Sequence, residues 1–439
     1  MAWKLLCDFC TNLIKFIKNI IFSEEFLEKS RYSQKDFTRK RSLSFTNLFL
    51  FLINLLKGSY QDELDGFSKA AGNEEIYKRK VSGAAVSKAR RKIRPEAFTE
   101  LNHSMINFFY NNSPHLTWNG FNLIAIDGST AKLPKTDEIS EHFGCLNTSD
   151  GIPVPMARVS QMYDVLNKIS IDAIVSPKKN GERELAAQHI LNLMPNDLLL
   201  MDRGYPARWL FKLILSQKGN FCARVPYNTW NITKKFYRSG KYDQTVKIPL
   251  TPKAIKRCLE IGLNISPMKL RMIRVDLADG TGEVLITSLL DRTIYPSEIF
   301  GDLYANRWPV EEDFKALKRR FEIERFSGQT VVSVYQDFYA KVFAKNLTAI
   351  LAYSVKDEID QRYSNRKYPY QINFVQAVSK MKDTIVLLFL RTSDVVAKII
   401  SSLREIFVLT VEAVRKGRKF PRKHKIGGKE FYSSYKQIR

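Results

Sequence analysis

The amino-acid sequence predicts an α/β protein with helical, basic regions on either side of a mixed sheet. Three observations lead there. Short apolar runs alternate with segments of helical spacing between residues 120 and 226. A second group of strand-like runs, set in basic and polar stretches, occupies about 227–295 and reads as a β-rich insertion. Residues 1–115 and 336–439 are mostly helical in pattern and rich in Lys and Arg. The expected division is 1–115, 116–335 and 336–439.

Composition narrows the function classes. The chain has 439 residues, 44% of them hydrophobic and 12% aromatic, enough for sizeable cores and against a wholly disordered chain. With 70 Lys and Arg against 45 Asp and Glu, the formal charge is +25. That charge points to a polyanionic partner, nucleic acid ahead of an anionic membrane surface. The most apolar run, Leu48 to Leu56, is far short of the ~20 residues a membrane span needs. The first segment interleaves Lys4, Asp8, Lys15 and Lys18 with apolar residues, which reads as an amphipathic helix rather than a secretory signal. The five cysteines, Cys7, Cys10, Cys145, Cys222 and Cys258, give one CxxC with nothing to complete a zinc site. Reduced thiols and a cytoplasmic location are the expectation.

The elements follow in order. Residues 78–94 (KRKVSGAAVSKARRKIR) carry eight Lys or Arg and no acid. Small residues from Gly83 to Ala89 let a helix lie close to a partner, and Lys88, Arg90 and Arg91 are candidate phosphate contacts. A solvated basic helix is the plainer reading of the same run. NLIAI (122–126) reads as a strand ending at Asp127; 158–166 and 168–176 read as two strands around Asn167. A helix is expected over 182–194, then the buried strand LLLM ending at Asp202, a helix over 206–219 stopped by Gly219, and a strand over 220–226. Two strands around Asp279-Gly280 suggest a hairpin. Ser297–Phe321 and Val334–Ile359 are helical in pattern. Residues 415–439 hold ten Lys or Arg and one acid and read as a flexible basic tail.

The acids carry the chemistry. Asp127 and Asp202 each close a buried-type strand, and carboxylates at the ends of adjacent strands converge where α/β sites lie. Strand-end Asp also caps turns, so the pair alone leaves both readings open. In YANRWPVEEDFKALK, the offsets of Tyr304, Arg307, Glu311 and Lys318 fall within about 60° of a helix face. One acid among a phenol and two cations suits a metal ligand beside phosphate-binding groups; a surface salt-bridge stripe is the alternative. Pro309 is a complication, because a helix starting there leaves Tyr304 and Arg307 on the preceding turn. Asp164, Asp172, Glu182, Glu184 and His189 read as structural or surface groups, Arg203 as a carboxylate partner or a DNA contact, and Trp209 and Trp308 as packing residues.

In these residues the sequence resembles the DDE transposases of the IS-four type, found in bacterial insertion sequences. The family pattern, Tyr-x2-Arg-x3-Glu-x6-Lys, is matched by Tyr304, Arg307, Glu311 and Lys318, with Trp308 in its usual place and Pro309 as a departure. AIDGST and LLLMDRGYP are similar to the regions of the first and second catalytic Asp, VSGAAVSKARRKIRPEAF to the segment upstream of the core, and RKGRKFPRKHK to the C-terminal end. The resemblance implies a ribonuclease-H-like catalytic domain, with Asp127, Asp202 and Glu311 both catalytic and metal-ligating. The cofactors implied are two divalent cations, magnesium first and manganese as the alternative. Tyr304, Arg307 and Lys318 would contact phosphates. Trp230, in the insertion, is a candidate for capturing a base, against the plainer reading of a packed Trp. The implied function is metal-dependent cleavage of double-stranded DNA at terminal inverted repeats, strand transfer into target DNA, and a homodimer in the DNA complex. A catalytically inactive DNA-binding relative, or a nuclease without strand transfer, are the alternatives.

Overall fold

The computed structural model describes residues 2–39, 43–56, 59–77, 79–147, 151–276, 282–382 and 384–415, with side chains from Asp8 onward. Asp279-Gly280, the basic run beyond Arg415 and the Cys7 side chain lie outside the described residues. By compactness the chain forms two units, one of 1–114, 130–157 and 315–439, the other of 115–129 and 158–314. This differs from the expected three-region division: the N-terminal and C-terminal regions share one unit. Helical periodicity shows which face of a helix is apolar but not which distant helix covers it.

Among the described residues, nine strands make one mixed sheet. They are β1 Asn122–Lys132, β2 Cys145–Asn147, β3 Pro153–Asp164, β4 Ile169–Pro177, β5 Asp197–Met201, β6 Asn220–Val225, β7 Asp243–Ile248, β8 Met268–Asp276 and β9 Gly282–Thr287. The order is β2-β3-β1-β5-β6-β9-β8-β7, with β4 on β3. β1, β5 and β6 run parallel. β5 is buried at every position, which explains why LLLM (198–201) is a continuous apolar run rather than an alternating one. Antiparallel β9, β8 and β7 then extend the sheet from β6.

In the second unit the core lies under the parallel strands. Ile124, Ile126, Leu199, Met201, Phe221 and Ala223 pack with Leu210, Phe211 and Ile214 of the helix Arg208–Ser216. That helix ends at Ser216, and the left-handed residue that follows it is Lys218, with φ +60°, rather than the expected glycine. Gly219 is needed for space: a Cβ there would stand 3.2 Å from Leu193. The stretch expected to be β-rich is mixed. The helix Asn231–Arg238 precedes β7, and the helix Pro252–Glu260 lies between β7 and β8. Thr251 accepts from the Ala254 amide at 3.3 Å and Pro252 opens the helix, a start signal hidden in a basic, polar stretch.

The first unit is largely helical. The helix Val331–Tyr353 is buried along most of its length and packs against Glu96–Asn112 and Phe45–Ile53. Phe49 stacks on Phe98 at 4.5 Å and meets Phe26 edge-on at 5.3 Å. The basic segment forms the helix Gly83–Arg90, and here Arg90 departs from its expected DNA contact. It is 3% exposed and donates to Gln336, Ser327, the Ser333 carbonyl and Asp337. Burial pushes the Asp337 carboxyl up, but Arg90, Lys341 and the Ser327 amide hold it below the usual range. Arg90 is a structural cation with its donors spent internally. Lys88 and Arg91 are exposed.

Candidate active site

The register of β1 on β5 brings the two strand-end acids together. Asn122 pairs with Asp197 and Ala125 with Leu200, so Asp127 lies on β1 two residues past the last recorded pair and Asp202 immediately follows the end of β5. The apolar residues before each acid are buried, while Asp127 and Asp202 are half-buried. The Gly204 amide donates to Asp202 Oδ1 at 2.8 Å. A Cβ on Gly204 would come within 3.2 Å of that oxygen, so the glycine keeps the turn tight.

The helical pattern expected over Ser297–Phe321 is broken at the proline. One helix spans Ile299–Ala305 and the next Pro309–Arg319, joined by i to i+3 hydrogen bonds from Arg307 to Tyr304 and from Trp308 to Ala305. Proline at the first helical position needs no amide donor and restarts the helix at little cost. Despite the break, Arg307 donates to Glu311 Oε1 at 2.6 Å. Trp308, expected to pack, lies in the joining turn and is 46% exposed. Asp313 faces the core instead, where Gln161 of β3 donates to it at 2.7 Å and fixes the start of the second helix.

Electrostatics ties these residues into one site. Burial raises the Asp127 carboxyl to about 6; the Gly128 amide and Arg307 pull it down, while Asp202 and Glu311 push it further up. Burial also raises the Tyr304 phenol to about 12, with Asp202 and Glu283 adding to the rise and Arg307 and Arg224 opposing it. The Tyr304 hydroxyl is buried and has no hydrogen-bond partner among the described residues. Asp127, Asp202, Glu311, Arg307 and Tyr304 therefore share one charged neighbourhood in the second unit. Lys318 belongs to the first unit, where its ammonium donates to the Thr130 carbonyl at 2.6 Å and lies 3.8 Å from Glu324. Trp230 is half-buried at the core margin, edge-on to Phe211 at 5.9 Å, with the Arg208 guanidinium 5.1 Å from its ring centre. Trp209 is half-buried beneath Arg257.

Three residues here, Arg158, Glu182 and Tyr205, carried no functional signal in the sequence. Glu182, at the first turn of the helix Glu182–Ile190, accepts from Arg158 at 2.6 Å. Tyr205, three residues after Asp202, has its ring in the core and its hydroxyl beside Gly128. Its proximity to an acid is the only sequence signal it gave. The helix that carries Glu182 is fixed at its other end by His189, whose Nδ1 is 2.7 Å from Asp172 and Nε2 3.0 Å from Ser160. The order of these three groups imitates a nucleophilic triad. Ser160 and His189 are both essentially unexposed, however, so the group works as a strut between helix and sheet. Asp164 caps the turn before β4 by accepting from the Leu166 and Asn167 amides. Arg203 is exposed.

The donor set is hard oxygen and suits magnesium or manganese rather than zinc. Among the described residues no three acid, His or Cys side chains already converge into a metal-holding group. Magnesium is nevertheless ordinarily held by one or two carboxylates, with water and substrate phosphate completing the shell. Two carboxylates that follow the paired stretch of two parallel strands, with Glu311 acting on the first of them, fit a site that takes up a cation with its substrate.

Residues 118–347 match the family described as the transposase DDE domain. The chain is similar to the transposase InsG for insertion sequence element IS4 of Escherichia coli (strain K12), at 25% identity over 348 residues, 78% of this chain and 76% of that one. In structure it is similar to the piggyBac transposase of a synaptic complex with hairpin DNA, with a TM-score of 0.45 and 10% identity over 89% of this chain and 85% of that one. No helix among the described residues is long and apolar enough to cross a membrane. With its acidic pair, its Tyr-Arg-Glu-Lys pattern and a family match over more than half its length, the chain belongs to the DDE transposases of the IS4 type.

Proposed function

We propose that the chain cuts double-stranded DNA at the terminal inverted repeats of a mobile element and joins the freed ends to target DNA. The observation that supports this is that Asp127 and Asp202 follow the paired stretch of two parallel strands, with Asp202 and Glu311 both acting on the Asp127 carboxyl. The strand order β4-β3-β1-β5-β6, with β1, β5 and β6 parallel, supports a ribonuclease-H-like core for that site. In this reading β7, β8 and β9 are the insertion between the second acid and the third.

Asp127, Asp202 and Glu311 would hold two divalent cations, magnesium first and manganese as the alternative. Such ions supply an activated attacking oxygen and stabilise the leaving one in an in-line displacement. Hydrolysis joins a water oxygen to phosphorus, breaks the bond to the 3′ oxygen and leaves a 3′-hydroxyl. In joining, that hydroxyl loses its proton, attacks a target phosphate and displaces the target's own 3′ oxygen. Arg307 neutralises the phosphodiester beside the acids, and the Tyr304 hydroxyl donates to one of its oxygens. Lys318, Lys88 and Arg91 contact phosphates of the DNA backbone. Base capture at Trp230 would require Arg208 to leave the ring. Two element ends call for two sites, hence a homodimer on DNA, in a bacterial cytoplasm.

The test incubates the chain with a duplex carrying the inverted repeat that flanks its reading frame, together with target plasmid, in Mg²⁺ or Mn²⁺. Nicking at the repeat's end followed by joining is the expected outcome. Specific binding without cleavage would make it a DNA-binding relative. Cleavage without joined product would make it a nuclease.

A further inference from the structure

Beside β7, β8 and β9 stands a column of stacked side chains that the proposed cleavage does not use. The Tyr227 and Tyr237 rings stack at 4.6 Å, 25° from parallel. The Arg274 guanidinium lies 4.6 Å from the Tyr237 ring centre and 5.4 Å from that of Tyr242. The members are fixed by their neighbours. Asp276 accepts from Arg274 Nε at 2.7 Å and from the Tyr242 hydroxyl at 2.8 Å. A Cβ on Gly282 would stand 2.7 Å from the Tyr237 ring, so glycine lets that ring lie against β9.

The ends of the column are open. Tyr237 is half-buried, but Tyr227 is 44% and Tyr242 56% exposed. The surroundings are cationic. Residues 226–242 hold Lys234, Lys235, Arg238 and Lys241 and no acid, and all four cations are exposed. The acids of the adjoining strands are already paired: Asp243 with Arg271 and Arg292, Asp276 with Arg274, and Glu283 with Arg224. Fixed, exposed aromatic faces among solvent-facing cations are what an unpaired nucleic-acid strand binds, with bases on the rings and phosphates on the cations. A base inside a duplex is covered on both faces by its neighbours, so only an unpaired one can lie on a tyrosine. Every base has such a face, so the binding is tolerant of sequence.

We infer that the Tyr227–Tyr237–Arg274–Tyr242 column is a binding site for single-stranded DNA, whose unpaired bases stack on Tyr227 and Tyr242 while its phosphates meet the cations between 234 and 241. Asp276 and Gly282 hold the column in shape before the strand arrives. This goes beyond the cleavage proposed above and needs no metal ion.

The test is fluorescence anisotropy in EDTA, with a labelled oligothymidylate of about 15 nucleotides and its duplex with oligodeoxyadenylate as the two probes. Wild type is compared with Tyr227→Leu, Tyr242→Leu and the corresponding Phe variants, each checked for an unchanged unfolding midpoint. Each Leu variant should bind the single strand about fivefold or more weakly and the duplex as wild type does. Each Phe variant keeps its ring and should bind both probes as wild type does. A 2-aminopurine placed in the single strand should be quenched by wild type and less so by the Leu variants. Wild-type affinity for the single strand in both Leu variants overturns the proposal. Equal losses for single strand and duplex overturn it too, because the column would then be a general backbone contact. Phe variants as weak as Leu would shift the contact from ring to hydroxyl, and unquenched 2-aminopurine on wild type would exclude stacking; either result also overturns it. With no metal ion present, failure here leaves the proposed cleavage standing, and Asp127→Asn should bind the oligothymidylate as wild type does.

Discussion

Replacing Asp127 with Asn measures what the site costs the fold when no cation is present. Burial first, then Asp202 and Glu311, raise this carboxyl from 3.8 to about 6. At about 1.36 kcal/mol per pKa unit, ionising it in the folded chain at pH 8 costs about 3 kcal/mol. The sign follows from linkage. Between about pH 4 and 6 the folded state binds more protons than the unfolded one, so stability falls as pH rises through that window and stays low above it. Asn removes the charge, so Asp127→Asn should stabilise the metal-free chain at pH 8 by about 1–3 kcal/mol, the lower values allowing for weakened hydrogen bonding. At a per-residue unfolding entropy of about 2.1 cal/mol/K, that raises the unfolding midpoint by about 1–3 °C. At pH 4 the difference should vanish. Calorimetry in EDTA at both pH values reads it, and adding Mg²⁺ should raise the midpoint of wild type but not of the variant. A variant less stable than wild type at pH 8, or a gain equal at both pH values, would refute the strained carboxylate cluster.

Other substitutions separate scaffold from DNA contact. Arg90→Ala should lose about 3–5 kcal/mol of stability in urea unfolding, because it strands buried Asp337 without its cation. Lys88→Ala and Arg91→Ala should leave stability within about 0.5 kcal/mol. Each should also flatten the slope of log affinity for DNA against log salt by about 0.9 for every phosphate it no longer neutralises. Lys318→Ala should slow processing of element ends more than it weakens bulk binding in gel shift; an unchanged end-processing rate would remove its role.

The sequence showed the parallel strands plainly because central strands buried on both faces are short, continuous apolar runs. The acids that end them were visible for the same reason. The restart at Pro309 followed from the missing amide and fixed φ of proline, and Arg307 still reaches Glu311 across it. What stayed hidden depends on distant partners. Arg90 looks like any other basic residue in its run until Ser327, Gln336 and Asp337, more than two hundred positions away, surround it. Glu182 and Arg158 meet across two elements, and Tyr205 reads as ordinary packing until the space beside Gly128 is seen. The helices inside 227–295 were masked by basic residues that cover their exposed faces.

The proposed function requires that three carboxylates, Asp127, Asp202 and Glu311, act together as one metal-dependent cleavage site. Single-turnover cleavage of an element-end duplex in Mg²⁺, compared across wild type, Asp127→Asn, Asp202→Asn and Glu311→Gln, tests it most directly. The prediction is that each variant binds the duplex nearly as tightly as wild type and fails to nick it. Nicking at the same position and rate by all three variants would place the chemistry elsewhere in the chain.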